Sequence, residues 1–285
     1  MNNQSNPRVS IVMPTFNYGH FISEAIGSVL SQTFRDFELI IVDNFSSDNT
    51  TEVVSSFQDE RIRFHQFDNR GSIAAARNFG WKKARGELIA FLDSDDKFGE
   101  TKLETQLTVH ADENVLSHHD LRLFGTKRIG VAKGRRVGDH ATLDLITRGN
   151  PINTSSTMIS RHLLELSGGF SEDQEIVTAE DFHLWLKLSE HGANIVYLPK
   201  VLGFYRLHSA STSSGKSVAA AIKVLAKYKN TLTSSEARLM EGWVSYAQAG
   251  LTPDKEMRRK LLARAAREAS FHFRWRALLR LLFGF

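Results

Sequence analysis

The sequence predicts an α/β fold: a mostly parallel central sheet flanked by helices, with a C-terminal extension of helices alone. Three observations carry this. Over the first hundred residues, short apolar runs alternate with stretches of helical periodicity, the pattern of strands joined by helical crossovers. Polar clusters follow three of those runs, at residues 15–17, 43–48 and 93–96. Open sheets of this kind bind ligands beyond the carboxyl ends of their strands. Beyond residue 212 the pattern is helical throughout.

Taken in order, residues 9–13 (VSIVM) form an apolar run stopped by Pro14 and read as a buried strand. Residues 20–32 place Phe21, Ile22, Ala25, Ile26, Val29 and Leu30 at helical spacing. Residues 37–42 (FELIIV) are a second buried strand ending at Asp43, and Asp48 or Thr50 is placed to cap the next helix. Residues 61–66 alternate as a third strand, 71–84 are Ala-rich and helical, and 88–92 (LIAFL) are a fourth strand ending at Asp93. Beyond these, 101–110 read as helix, 114–138 as short strand-like runs among loops, 153–160 as a strand and 161–166 as a short helix. Residues 180–190 (EDFHLWLKLSE) give a helix with one buried face, and 195–198 and 203–207 two further strands. The Ser-rich stretch 209–216 reads as a flexible connector. The expected domains are therefore 1–212 and 213–285.

The chain of 285 residues has no cysteine, which excludes a disulfide scaffold, thiolate catalysis, Cys-ligated zinc and iron–sulfur clusters. No apolar run approaches the roughly 20 residues that span a bilayer, and the N-terminus lacks a secretory pattern. A cytoplasmic location is the expectation. Residues 255–285 hold nine Lys or Arg and two Glu, a net charge of +7, while the other 254 residues carry a net −3. Such concentration argues against a nucleic-acid partner and for an anionic surface such as a membrane.

Four groups of residues can carry chemistry. In Asp93-Ser94-Asp95-Asp96, carboxylates two apart in extended chain point the same way. With a diphosphate they supply the oxygens that a hard divalent cation takes; alone they are a solvated acidic turn. Asp43-Asn44 can hydrogen-bond a base or ribose, or build a turn. Glu180-Asp181 opens a helix, where acidic residues suit the dipole, or supplies a general base for an attacking hydroxyl. Arg206 and His208 share a side at period two, as an anion or metal site or as plain surface.

These residues make a family visible. VSIVMPTFNYGHFISEAIGSVLSQTFRDFELIIVDNFSSDNT resembles the opening of the family 2 glycosyltransferases, inverting enzymes with the GT-A fold. GSIAAARNFGWKKARGELIAFLDSDD, NTSSTMISRHLLELSGGF, AEDFHLWLKL and YRLHSASTS resemble that family's later blocks, in order, over roughly residues 8–213. The resemblance implies a nucleotide pocket lined by Pro14, Thr15 and Phe16 with Asp43 and Asn44. It makes Asp93, Ser94 and Asp95 the DXD signature: Asp95 contacts the metal, and Asp93 helps hold the ribose and metal-bound diphosphate. Arg77 supports the donor site, Arg206 lies near the diphosphate, and His208 is a further metal ligand. Asp181 matches the catalytic base, with Glu180 beside it and the two roles exchangeable. The implied cofactor is Mn²⁺ or Mg²⁺, and the implied reaction moves a sugar from a nucleotide-sugar to a hydroxyl of a glycan, lipid-linked or cell-envelope acceptor.

One departure matters. The family's usual Asp-Asp-Gly-Ser is here Asp43-Asn44-Phe45-Ser46. Asn44 can still accept the N3–H of a uracil or thymine, which favours UDP or dTDP, and Phe45 narrows the pocket or stacks on it. Residues 257–285 mix Arg with Leu, Phe and Trp, as a helix lying at the inner face of the cell membrane or packed on protein, a second subunit included. Two other functions stand beside transfer: a sugar nucleotidyltransferase, and a non-catalytic nucleotide-sugar binder. The first usually carries a Gly-rich basic loop, which residues 14–17 lack; the second would be expected to lose the acidic groups.

Overall fold

The computed structural model describes residues 6–126, 129–208 and 214–283. Its strands are β1 (Val9–Thr15), β2 (Phe37–Asp43), β3 (Ile62–Gln66), β4 (Leu88–Phe91), β5 (Lys97–Phe98), β6 (Val115–Phe124), β7 (Val131–Ala132), β8 (Met158–Ser160) and β9 (Asn194–Arg206). They form one sheet in the order β3-β2-β1-β4-β8-β6-β9-β5, with β7 on β6. β1 to β4 are mutually parallel, whereas β8 runs antiparallel to β4 and β6. The first helices are α1 (Gly19–Leu30), α2 (Thr50–Ser55), α3 (Ile73–Lys83) and α4 (Lys102–Leu107).

Strand periodicity explains the layers. Val9, Ile11 and Met13 share a core with Leu39 and Ile41 and with Ile22, Ile26 and Val29 of α1. Val12 and Val42 face the opposite way, towards α3. There Gly80 lets helix and sheet approach closely: a Cβ would lie 2.4 Å from Val12 Cγ1. Both faces being covered, the strands read as continuous apolar runs. The exception, Glu38, is buried in β2. Ser10 Oγ donates to it at 2.6 Å, and Arg63 and Arg85 at 2.7 and 2.9 Å. Burial alone would raise its pKa, but these hydrogen bonds together hold it below its ordinary value.

The structure differs from the sequence expectation in four places. β1 continues through Pro14 to Thr15, because the ladder to β4 ends at Val12 and the missing N–H interrupts nothing there. The expected short runs in 114–138 are one ten-residue strand, β6, and the two-residue β7 paired with it. The two expected strands in 195–207 are one strand, β9, whose register to β6 shifts around His119 and Asp120, opposite Pro199 and Lys200. Residues 153–160 begin as a 3₁₀ turn (Thr154–Ser156) and only then become β8.

The chain divides into two units. The first, Met1–Arg136, Ile152–Glu172 and Lys187–Ser211, holds the whole sheet and α6 (Arg161–Ser167). α5 (Ala141–Arg148), the start of α7 (Glu180–Glu190), α8 (Ser214–Ala226), α9 (Ser234–Ala249), α10 (Lys255–Glu268) and α11 (Phe271–Phe283) belong to the second: Val137–Pro151, Asp173–Leu186 and Thr212–Phe285. The last crossing between the units, at 211/212, lies one residue before the expected division at 212/213. A composition change marks where the helices begin, not which earlier segments fold onto them; α5, for example, packs on α9. Of the Ser-rich stretch, residues 209–213 lie outside the described residues, and Ser214 already opens α8.

Candidate active site

At the carboxyl ends of β1, β2 and β4 the polar clusters converge. Asp43 and Asn44 are committed first to their own backbone. Buried Asp43 accepts the Ser46 N–H at 3.0 Å and the Ser46 hydroxyl, closing a tight turn. Asn44 Oδ1 accepts the Asn69 N–H at 3.1 Å, so its carbonyl is engaged and its amide N–H₂ is the end left for a ligand. Phe45 has φ 55° and Asn17 φ 54°, both left-handed. Phe45 thus keeps the backbone that favours glycine, at a cost of about 1–2 kcal/mol. Its ring is exposed, as is that of Phe16, while Thr15 is buried. The N-cap of α2 is Asn49 rather than Asp48 or Thr50; Asp48, just before it, accepts the Thr50 N–H and the Gly19 N–H, each at 3.0 Å, joining the two loops.

The acidic turn after β4 is held from every side. Arg77, buried on α3, donates to Asp93 Oδ1 at 2.7 Å. The Asp93 N–H donates to Ser155 Oγ at 3.1 Å. Ser94 is buried. Asp96, also buried, accepts the Arg206 N–H at 2.9 Å. His208 Nε2 meets Asp95 Oδ2 at 2.8 Å. Burial, then the Asp93 charge, raises the Asp95 pKa; burial, then Asp95 and Asp93, raises that of Asp96 well above its ordinary value. The ring of Tyr18 lies edge-on to His208 at 5.8 Å, and burial and the three carboxylates raise its pKa. Three carboxylates are thus brought together at this turn, with burial the larger cause of the raised values and their mutual repulsion the second.

Arg206 is largely buried and does more than face an anion. Its Nε donates to the Asp95 carbonyl at 2.8 Å and its guanidinium to Glu24 at 2.8 Å. The same group lies between the rings of Phe21 and Phe124, at 4.4 and 4.3 Å. It clamps the acidic turn.

Among the described residues, no group of three or more His, Asp or Glu side chains forms a closed metal cage. The donor set nevertheless fits a hard divalent cation. A carboxylate oxygen and an imidazole nitrogen converge, the carboxylates repel one another, and phosphate oxygens are what such ions take to complete their shell. Asp95 and His208 would hold the ion, with Asp93 beside them.

Sequence reasoning missed the groups beneath this turn. Buried Lys102 on α4 donates to Gln106 Oε1 at 2.6 Å and to the Thr157 carbonyl at 3.2 Å. Gln106 Nε2 donates to the Ser156 carbonyl at 3.0 Å and to Ser117 Oγ at 2.9 Å. This network fixes the loop that brings Ser155 to Asp93. Burial pushes the Lys102 pKa well down. The only sequence signal was a Lys and a Gln four apart in a helix.

Glu180 and Asp181 lie in the second unit, in the first turn of α7. Glu180 is buried, and its Oε2 accepts the Thr178 N–H at 2.8 Å, holding a residue with φ 77°. Asp181 is less buried, and its Oδ2 lies 3.4 Å from Asn150 Nδ2.

The family model described as glycosyl transferase family 2 matches residues 10–164. An Escherichia coli protein, UDP-Glc:alpha-D-GlcNAc-diphosphoundecaprenol beta-1,3-glucosyltransferase WfgD, is 34% identical over 73% of this chain and 80% of its own length. A second, WfaP, with the same activity in its name, is 29% identical over 79% and 86%. The crystal structure of S. aureus TarS 1-349 with UDP-GlcNAc has a TM-score of 0.67, with 19% identity over 93% of this chain and 82% of that one. At that identity the likeness is one of fold.

Proposed function

The chain belongs to glycosyl transferase family 2 and has the GT-A fold, and from that premise we propose that it is a metal-dependent, inverting transferase. It takes a UDP-sugar as donor and a hydroxyl of a lipid-linked glycan as acceptor. The observation that carries this is the meeting of Asp95 and His208 beside Asp93, at the carboxyl ends of the parallel strands. The names of WfgD and WfaP, both UDP-Glc-dependent and acting on a diphosphoundecaprenol-linked sugar, support donor and acceptor.

In this reading Phe16 and Phe45 flank the base, and the Asn44 amide donates to a uracil carbonyl. Arg77 holds Asp93 towards the ribose. Asp95 and His208 would hold a divalent cation (Mn²⁺ or Mg²⁺), which would supply positive charge to offset the departing diphosphate. Arg206 keeps the turn rigid by its hold on Asp95 and Asp96. Asp181 takes the proton of the acceptor hydroxyl. The oxygen then forms a bond to the anomeric carbon from the face opposite the diphosphate, as the bond to UDP breaks. No covalent sugar intermediate forms, so one carboxylate acts as base, whereas retaining glycosidases need two. The enzyme works in the cytoplasm at the inner face of the membrane, where such an acceptor presents its sugar. Among the described residues no helix is long and apolar enough to cross a membrane.

The test is transfer of labelled glucose from UDP-glucose to a GlcNAc-diphosphoundecaprenol acceptor, with other UDP-sugars in parallel. Label moving to the lipid phase only with Mn²⁺ or Mg²⁺ is expected. No transfer and no UDP release from any nucleotide-sugar, by folded protein, would overturn the proposal.

A further inference from the structure

α11 buries one side and leaves a second apolar side open. Ala277 is fully buried and Leu281 packs with Leu262, Ala265 and Ala249. At about 100° per residue, Phe271, Trp275, Leu278, Leu279 and Leu282 fall within an arc of about 100° on a different side. All five are exposed, from 36% for Leu278 to 83% for Phe271. From Phe271 to Leu282 this stripe runs about 16 Å along the helix. Arg274 flanks it on one edge, and His272 and Arg276 on the other. All three are exposed, and residues 269–285 contain no Asp or Glu.

We infer that α11 lies in the plane of an anionic membrane, with this stripe in the acyl boundary and its flanking Arg residues on the headgroups. An apolar stripe edged by cations is the form of an interfacial helix, and Trp275 is the amphipathic ring that prefers that depth. Charge decides between the two coverings this face could have. A second copy docking symmetrically would bring the same Arg rows together, with no acidic residue on α11 to offset them. A surface of anionic lipid neutralises both edges at once. On α10, Lys255, Arg258, Arg259 and Arg267 are exposed and extend the same field. The inference rests on the proposed function only for its use: it holds the enzyme where a lipid-linked acceptor lies.

The test is flotation of the full chain with phosphatidylglycerol-containing and pure phosphatidylcholine vesicles. Slow UDP release from UDP-glucose is assayed in the same samples. Binding to the anionic vesicles, weakened by salt, is expected, with a drop of at least tenfold in Trp275→Glu/Leu282→Glu and unchanged UDP release. Both side chains are exposed, so the fold should tolerate the change; Arg274→Gln/Arg276→Gln should weaken binding without touching the stripe. Equal flotation of wild type and Trp275→Glu/Leu282→Glu would overturn the inference. So would a stable dimer, abolished by the same pair, with no vesicle binding. UDP release without flotation would defeat the membrane role alone, and flotation without UDP release the transferase reading alone.

Discussion

Replacing Asp181 with Asn is expected to lower glycosyl transfer by about 10² to 10⁴-fold, the usual contribution of a positioned general base. The change removes a proton acceptor and keeps the shape, so folding and UDP binding should stay as in the wild type. Glu180 is the informative control. Its carboxylate is buried and already accepts the Thr178 N–H, where a β-branched residue sits at φ 77°. Glu180→Gln should therefore act mainly through the loop, lowering thermal stability and raising KM more than it lowers kcat. Asp181 is less buried, with Asn150 Nδ2 at 3.4 Å, and is the group the proposal makes the base. Full activity in Asp181→Asn, with loss of kcat alone in Glu180→Gln, would exchange their roles.

Stability should fall steeply below pH 6.5. His110, His118 and His119 are all buried, and burial is the main reason their pKa values drop: His110 to about 4, His118 to about 3, and His119 well below its ordinary value. The sign follows from proton counts. Below pH 6.5 the unfolded chain binds protons at these rings and the native chain does not, so stability rises with pH and is lost as pH falls. Each histidine contributes about 1.4 kcal/mol per pH unit in that window. Asp95 and Asp96, with raised pKa values, take up protons in the native state and oppose it. The net slope between pH 6 and 4.5 should lie between about 1 and 4 kcal/mol per unit, read from urea midpoints. In His118→Gln the slope should shrink by about one proton, whatever the change in absolute stability. A flat profile from pH 7 to 5 would contradict the burial of these rings.

The fold was legible where burial is simple. Apart from the paired Ser10 and Glu38, β1, β2 and β4 are apolar runs on both faces that give way to polar residues at their carboxyl ends. The sequence reads β6 and β9 as fragments because their interiors hold His118, His119, Asp120, Pro199 and Lys200, where the register between the two strands shifts. At the site, residues 93–96 stand out as an acidic turn after a strand, but Ser155, Tyr18 and Glu24 carry no local signal. They matter through partners far along the chain: Glu24 and Arg206 are 182 residues apart. Arg206 shows the limit of spacing arguments. Its type suggested an anion ligand, while its surroundings make it the clamp of the acidic turn.

The most direct test of the donor site is calorimetric titration of UDP into the full chain, with and without Mn²⁺, and into Asp95→Ala. Binding that requires Mn²⁺ and weakens at least tenfold in Asp95→Ala, with the fold intact by circular dichroism, is the expected result. UDP binding equally tight without Mn²⁺, or undiminished in Asp95→Ala, would contradict the assignment of Asp95 and His208 as the seat of the cation.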